Sequence, residues 1–563
     1  MKFEDLPNEI FIDLFEYFDV LQIFIIFYNL NTRFNQLLNR SHVLNLQKIS
    51  KTDFNIHYAR YHSTISKTIR SIYIADHDET PDLPTRFFSQ YFSASYFPSL
   101  RSLTIDSMRS MDTLISLLNH CQQLDHFQQL KLIHCHMSTN QHLIWNLPYL
   151  THCSIDEENT IEKTLHQLST RSNSIKNLAL KHFACDSHTL NNILEQTPKL
   201  THLTIAVVIH RLDLPVDLSR LIQLNLSFDG SKEVLFSLFQ SMIHLRFLIC
   251  KIYNFFIDGN EWQKLIENDL IHLEQIHFKI AFKFLQNLSI ESQITNLLLT
   301  YQTSFWLTER KQYIRCQWDP SDPFQQAYLY TLPYYFPKFH LIKTLVSKST
   351  CSNSNDFWCY DHADKLAYEK HSSQDFPIRF SRLSQLDLIL PFHKNFLSTI
   401  SSWIHLHTLD VVLLQNDSIY EQLQLILDRA PNLYLLRFSH LSEFDVRLFQ
   451  LTSRSIRRLD FFTKESMLYN WYFDREQCLA FAQSSLGQQC QTLVIDIDHR
   501  SNILEIIEHM SQLRSLTFHC KDDRWKAKSN DDELIQWLHD NLPFQCDIIR
   551  NQHEKLVLHI WIR

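Results

Sequence analysis

Most of this chain repeats one short pattern of apolar and polar positions. The pattern reads apolar, two variable residues, apolar, one variable residue, apolar, as in Leu100-Arg-Ser-Leu103-Thr-Ile105 and Leu200-Thr-His-Leu203-Thr-Ile205. Sixteen copies lie between Ile69 and Phe518, and their starts are mostly 21 to 31 residues apart. Because side chains alternate along a strand, each copy predicts a short strand whose fourth and sixth positions enter a core.

The segments between the copies predict helices. Tyr420–Asp428, for example, places its apolar residues at helical spacing. Pro198 and Pro431 stand just before the next strand, and proline cannot continue a helix. One unit is therefore a helix, a turn and a strand, and stacked units of this kind predict an elongated α/β solenoid.

The repeats are interrupted between residues 301 and 375. The apolar stretches near Phe305 and Tyr313 predict a strand pair or hairpin. Residues 347–373 are polar and aperiodic, which predicts a loop, and Ile342–Leu345 has the form of a degenerate repeat. The last apolar run, from Lys555 to Ile562, predicts a closing strand.

The third, fifth and seventh pattern positions form the other face of the predicted strands. On this rule Ser515 and Thr517 of the last copy also face solvent. The surface is polar and mixed in sign, which suits specific hydrogen bonding with a protein partner; the alternative is an ordinary solvated sheet surface. The candidate binding residues are His152, His202, Thr204, Gln223, Asn225, Asp387, Asp410, Arg437, Arg458 and Asp460.

Composition removes several function classes. The three glycines, Gly230, Gly259 and Gly487, are far apart, whereas phosphate loops, dinucleotide fingerprints and nucleophile elbows need several within a few residues. We therefore predict no nucleotide cofactor. The net charge of −8 opposes sequence-independent nucleic-acid binding. Twelve irregularly spaced cysteines and no basic leader favour free thiols in a reducing compartment.

Several groups of His, Cys and Asp stand close together in the sequence, as they do in metal and catalytic sites. The clusters Cys121–His136 and Cys351–His362 lack the paired spacing of a structural zinc site. Asp496–His499 follows a repeat strand, where alternation puts two acids on one face as a matter of course. His553 opens like a zincin helix, but Val557 occupies the position of the second histidine. We predict neither a metal nor a catalytic residue.

The first forty residues predict apolar helices. Pro7 fits a first helical turn, Ile10, Leu14 and Phe18 form a helical stripe, and Leu30 begins a second one. The apolar run is far shorter than a bilayer span, and the first residues are acidic where a leader would be basic. We therefore expect neither a membrane anchor nor a targeting peptide, and we read the apolar surface as a contact for a partner.

The repeats resemble leucine-rich repeats, whose strand signature is L-x-x-L-x-L. That resemblance implies a horseshoe with parallel strands on the concave face and helices outside. The amino-terminal residues Leu6-Pro7-x-Glu9-Ile10, Phe15, Tyr17-Phe18 and Leu30-x-x-Arg33-Phe34-x-x-Leu37 resemble the F-box, an all-helical module. The predicted domains are an F-box at 1–45, a linker at 46–67, repeats at 68–300, an insertion at 301–375, and repeats with a closing strand at 376–563.

The combined resemblance implies a non-catalytic substrate receptor of a Skp–cullin–F-box ubiquitin ligase. The F-box would bind a Skp-type adaptor, and through it the cullin and RING subunits, while the repeats would bind an unknown protein substrate in the cytoplasm or nucleus. The alternative is a repeat scaffold whose amino-terminal helices only cap the solenoid. The implied adaptor contacts are Leu6, Pro7, Ile10, Phe15, Phe18, Leu30 and Phe34.

Overall fold

A computed structural model gives the fold. It describes residues 6–562 except 16, 19, 39–42, 109, 136–141, 158–168, 212–216, 285–288, 323–325, 342–345, 352–359, 369–377, 415–417, 442–445, 462–471, 524–531, 543–545 and 552–555. The chain is an α/β protein with two mostly parallel sheets. It divides into two compact units, the first comprising residues 1–227, 241–245 and 563, and the second residues 228–240 and 246–562.

The first unit combines a parallel sheet with helices. Its strands are β1 (Val43–Asn45), β2 (Ser71–Ala75), β3 (Ser102–Asp106), β4 (Gln129–Ile133), β5 (His152–Asp156), β6 (Asn177–Cys185), β7 (His202–Ile209) and most of β8 (Gln223–Gly230). From β1 to β7 each strand pairs in parallel with the next.

The helices of the first unit precede and separate these strands. They are α1 (Asn8–Phe15), α2 (Val20–Phe27), α3 (Thr32–Leu38), α4 (Ala59–Ile65), α5 (Leu83–Gln90), α6 (Met111–Cys121), α7 (His142–Trp145) and α8 (Ser187–Gln196). A π-helical turn, Asp53–Tyr58, leads into α4, so the stretch predicted as a linker contains helix. Side-chain caps begin α6 and α8: Asp186, before α8, accepts a 2.8 Å hydrogen bond from the backbone N–H of Thr189.

The second unit begins with α9 (Lys232–Gln240) and contains two stretches of sheet. The first stretch has the order β9-β10-β12-β11-β14, and the second has the order β13-β15-β16-β17-β18-β19-β20-β21-β23-β22. The strands are β9 (Phe247–Tyr253), β10 (Gln275–Lys283), β11 (Tyr313–Trp318), β12 (Gln326–Leu332), β13 (Lys338–Leu341), β14 (Val346–Ser349), β15 (Lys365–Tyr368), β16 (Gln385–Leu390), β17 (Thr408–Leu413), β18 (Leu435–Leu441), β19 (Arg458–Asp460), β20 (Thr492–Ile497), β21 (Ser515–Cys520), β22 (Asp547–Arg550) and β23 (Val557–Trp561).

Helices also alternate with strands in the second unit. They are α10 (Gly259–Asn268), α11 (Ile290–Leu299), α12 (Ile419–Arg429), α13 (Arg475–Gln483), α14 (Ser485–Gln489), α15 (Asn502–His509) and α16 (Glu533–Asn541), with a π-helical turn at Phe305–Glu309 and 3-10 turns at Lys394–Thr399 and Val446–Gln450. Parallel pairing runs from β13 through β15 to β21, and β22 and β23 are antiparallel.

The structure confirms the predicted alternation in most repeat strands. In β3, Leu103 and Ile105 are fully buried whereas Ser102, Thr104 and Asp106 are partly exposed. The parallel register then places buried residues of neighbouring strands side by side, as with Leu103 and Leu130 or Leu386 and Leu409, so that apolar side chains form rows across the sheet.

The last repeat strands depart from this alternation. Ser515 and Thr517 of β21, which we predicted to face solvent, are 0% and 4% exposed, and β20 is likewise buried on both faces. Thr517 has an internal partner, since its hydroxyl lies 2.9 Å from Nδ1 of His559 on the neighbouring antiparallel β23. The closing strand was predicted, but its effect on the adjacent strand was not.

The interruption contains an antiparallel pair that differs from the predicted one. Only the Tyr313 strand of that prediction is confirmed: β11 is antiparallel to β12, which was not predicted, and the segment around Phe305 is a π-helical turn and not the second strand of the pair. Within the stretch predicted as a loop, β14 and β15 are strands, so that prediction was wrong for them; β15 is held by parallel pairing with β16 and by its buried Leu366 and Tyr368. The degenerate repeat at Ile342–Leu345 lies outside the described residues.

No helix in the described ranges is both long enough and apolar enough to cross a membrane.

The close packing around Gly259 should make a larger side chain destabilising there. Its N–H donates a 2.8 Å hydrogen bond to the Thr300 hydroxyl, and Trp306 Nε1 donates to its carbonyl at 3.1 Å. A Cβ at this position would overlap the Thr300 carbonyl oxygen. We expect Gly259→Ala to lower the free energy of unfolding by about 1–3 kcal/mol in urea titrations. The exposed neighbour serves as control: Asn260→Ala should change it by less than about 0.5 kcal/mol, and equal values for the two variants would contradict the prediction.

Candidate functional site

Four phenylalanines hold the three amino-terminal helices together. Phe11 meets Phe34 edge-to-face with ring centroids 4.9 Å apart, and Phe27 lies 5.2 Å from Phe15 and 5.3 Å from Phe34. All four side chains are buried. Aromatic pairs of this geometry add to the energy of simple area burial, so α1, α2 and α3 form one packed module.

Arg33 fixes the start of α1 against α3. Its Nε donates a 2.7 Å hydrogen bond to the Asn8 side chain, and its Nη2 donates to the Leu6 carbonyl at 2.5 Å. The guanidinium also lies 5.3 Å from the centroid of the Phe11 ring. The sequence motif contains Arg33, but it was not among the candidate contacts, because its role depends on a meeting of α1 and α3 that spacing does not show.

The seven predicted adaptor contacts separate into two groups. Ile10, Phe18 and Leu30 are 48%, 37% and 58% exposed, Pro7 is exposed and Leu6 is half-buried. Phe15 and Phe34 are buried inside the module, where they pack its helices. The adjoining Tyr17, Ile25 and Ile26 are exposed as well, so large apolar side chains face solvent from all parts of this short module.

The predicted binding residues of the first unit lie on the polar face of its sheet. His152 and His202 occupy the same register position two strands apart, with Asn177 between them. The Nδ1 atom of each histidine is 2.8 Å from the hydroxyl of the preceding threonine. Burial, and then the neighbouring His152, lower the pKa of His202, so its ring is neutral at pH 7.

Thr204, Gln223 and Asn225 continue this face and are half-buried. The five candidates of the first unit therefore present imidazole, hydroxyl and amide hydrogen-bonding groups, with no carboxylate, ammonium or guanidinium group among them. Such a surface can recognise a polar partner by geometry, without a strong electrostatic field.

The predicted binding residues of the second unit form a charged row. Asp387, Asp410, Arg437 and Asp460 stand at one register position on four successive strands. Arg437 Nε lies 3.0 Å from Asp460 and its Nη1 lies 3.6 Å from Asp410. Lys338 Nζ lies 3.0 Å from Asp387. The structure thus brings these four candidates together, with the half-buried Arg458 beside Asp460 on β19.

Asp460 does not face solvent as predicted. It is 6% exposed, and a carboxylate can be buried to this extent when a cation such as Arg437 neutralises it. Asp460 is therefore a buried partner of Arg437 and not a surface residue of the row, whereas the less buried Asp387 and Asp410 remain partly open to solvent.

Asp496 on β20 extends the acidic character beyond this row. It is 5% exposed, and its Oδ1 has no hydrogen-bond partner among the described residues; Nδ1 of the His519 imidazole lies 3.7 Å from it. Burial, and then the charge of Asp460, raise the pKa of Asp496 to about 7. The sequence placed Asp496 directly after a repeat strand, whereas it lies within β20, which is buried on both faces.

The groups considered for metal or thiol chemistry do not assemble in the described ranges. There, no three His, Cys, Asp or Glu side chains are arranged to hold a metal ion. His136, Cys359, His553 and Glu554 lie outside the described residues. Burial raises the pKa of Cys135 to about 12, so this thiol stays protonated and unreactive at pH 7.

Compared with protein-family models and with curated proteins, the chain matches none of them. Its sequence pattern and its geometry are therefore the guides to its class.

Loss of the Arg437 charge should destabilise the protein. Arg437→Met removes the cation from between Asp410 and Asp460 and should lower the free energy of unfolding at pH 7.5. The loss should approach the lower end of the ~3–5 kcal/mol typical of a broken buried pair, since Arg437 is partly exposed. Urea titration should show it, while Arg454→Met, at an exposed arginine, should change little. Equal losses for both variants would contradict the ion-pair role.

The effect of Asp496 on stability should depend on pH. Folding raises the pKa of its carboxyl group from 3.8 to about 7, so the folded state holds the proton more tightly than the unfolded state does. The free energy of unfolding therefore falls as the pH rises from the unfolded-state pKa through 7. Asp496→Asn should therefore be stabilised relative to wild type by about 1–3 kcal/mol more at pH 8 than at pH 5. Urea titrations at both values test this, with the exposed Asp428→Asn as control. A pH-independent difference for Asp496→Asn would contradict it.

Proposed function

We propose that this chain is the substrate-recognition subunit of a cullin–RING ubiquitin ligase. In this proposal α1–α3 are an F-box that binds a Skp-type adaptor, and the following units are leucine-rich repeats arranged as a horseshoe. The chain performs no bond chemistry. It holds a target protein near the ubiquitin-charged enzyme and thereby raises the effective concentration of the two reactants.

One observation carries the adaptor-binding part of the proposal. The amino-terminal module has a complete aromatic core of its own and still exposes Ile10, Phe18 and Leu30. Exposed apolar side chains on short helices suit insertion into a hydrophobic groove of a partner. Because Phe15 and Phe34 are buried, we assign the contact to the exposed residues and to Pro7.

The target-binding part is supported by the polar strand faces. The first unit offers His, Thr, Gln and Asn side chains, and the second offers the Asp387–Asp460 row. Each face is preformed on a rigid parallel sheet, so a protein partner can bind without the entropy cost of ordering a loop.

A specific observation also favours the second candidate, a scaffold whose helices cap the repeats. Tyr28 lies 5.3 Å from Tyr61 of α4, ring centroid to ring centroid, and Phe24 lies 6.3 Å from it. The module therefore packs on the first unit with one side. This capping contact uses α2, whereas Ile10 and Leu30 remain exposed for a partner.

Charge substitutions on the exposed residues distinguish these functions. Ile10→Lys and Leu30→Lys should each weaken binding of the full chain to a Skp-type adaptor at least tenfold, because a lysine cannot enter an apolar groove without desolvation. Calorimetric titration measures the affinity. Ile243→Lys and Ile271→Lys are matched controls, since these isoleucines are 48% and 62% exposed outside the module, and they should bind like wild type.

Two results would contradict the proposal. One is a wild-type chain that does not bind the adaptor, and the other is wild-type affinity in both module variants. Either result would leave the capping role as the function of the helices.

A further inference from the structure

Two lysines stand side by side on the second unit without an anion. Lys251 of β9 and Lys279 of β10 are register partners in parallel strands, and both side chains are half-buried. Among the described residues neither lysine has a carboxylate within ion-pair distance, in contrast to Lys338, which is paired with Asp387. Half-buried charges normally have a partner, so this pair is unusual.

Aromatic side chains surround the two ammonium groups. Lys279 Nζ donates a 3.1 Å hydrogen bond to the Tyr334 hydroxyl and lies 5.5 Å from the Tyr328 ring centroid. Lys251 Nζ lies 5.8 Å from the Phe336 ring, whose centroid is 5.5 Å from that of Tyr334. Cation–π contacts hold both lysines in place but leave their net charge uncompensated.

Both lysines are weaker bases than a lysine in water. Burial lowers the pKa of both, and for Lys279 burial together with the charge of Lys251 lowers it to about 8. With a pKa of about 8, the Lys279 ammonium group still carries most of its charge at pH 7. The fold therefore maintains two close positive charges at an energetic cost that an anion would relieve.

The described histidines at this site add no charge at pH 7. His277 precedes Lys279 by two residues on the same face of β10, stacks on Tyr335 at 4.3 Å, and keeps a buried Nδ1 that has no hydrogen-bond partner among the described residues. Burial, and then His362, lower the pKa of His277 to about 4. His340 of β13 has a pKa lowered by burial and then by Lys279, and Asp387, the carboxylate that acts on His340, is engaged by Lys338.

We propose that Lys251 and Lys279 bind the phosphate group of a phosphomonoester. At pH 7 such a group carries close to two negative charges and three acceptor oxygens, which match two ammonium groups that lack a counter-ion. A carboxylate would neutralise only one of them. The flanking rings of Tyr328, Tyr334 and Phe336 suit an aromatic carrier of the phosphate. The site is independent of whether α1–α3 bind an adaptor.

Calorimetric titration of the full chain with phenyl phosphate at pH 7.5 and low salt tests the proposal. Wild type should bind, and Lys251→Met and Lys279→Met should each weaken binding at least tenfold. Lys264→Met, at an exposed lysine of α10, is matched in charge and should bind like wild type. Benzenesulfonate, a monoanion of similar shape, should bind wild type at least tenfold more weakly than phenyl phosphate.

Two further arms use the same chain. A capped tripeptide with a central phosphotyrosine that binds more tightly than phenyl phosphate would identify a protein segment as the carrier, and weaker binding would identify a small ester. The thermal midpoints of the two site variants should equal or exceed that of wild type, because an uncompensated charge has been removed, so lost binding cannot be attributed to unfolding.

Three outcomes would overturn the proposal. These are no binding of phenyl phosphate by wild type, equal affinity for benzenesulfonate, or an equal loss in Lys264→Met.

Discussion

The arrangement depends on burying one face of every repeat strand. The fourth pattern positions of β3 to β6, Leu103, Leu130, Cys153 and Leu178, are at most 3% exposed, and the parallel register places them in one row. Apolar burial is the dominant favourable term in folding, so this row fixes which way each strand faces. The opposite face is thereby left polar, and the candidate binding residues of the repeats occupy it.

Electrostatic balance on that polar face is local. In the second unit Arg437 neutralises two aspartates and Lys338 neutralises a third. Lys251 with Lys279 and, further along, Asp496 lack such compensation among the described residues. Groups whose pKa is perturbed by burial without a partner are where a ligand has most to contribute, whereas the balanced row is a stable surface on which a partner can be oriented.

Much of this arrangement was accessible from the sequence because it depends on local periodicity. The repeat strands, the polar face and the closing strand follow from alternation, and even Lys251 occupies the seventh pattern position of its copy. Side-chain environments that depend on distant segments were not accessible. Phe15 and Phe34 are internal because three helices converge on them, and Asp460 is buried beside Arg437 of the neighbouring strand.

The same limit explains the errors in the interruption. β15 has little periodicity of its own and is a strand because β13 and β16 pair with it. The aromatic residues beside Lys279 come from β12 and the turn after it, more than forty residues away in the chain. Composition can predict that such residues are buried, but it cannot predict which charge they surround.

In the proposed function the amino-terminal helices bind an adaptor while the strand faces stay free for a target. Hydrogen–deuterium exchange of the full chain, with and without a Skp-type adaptor, tests this directly. We expect the adaptor to slow amide exchange only in the helices between Asn8 and Leu38 and to leave exchange in the repeat strands unchanged. Protection of the repeat strands, or no protection anywhere at saturating adaptor, would contradict it.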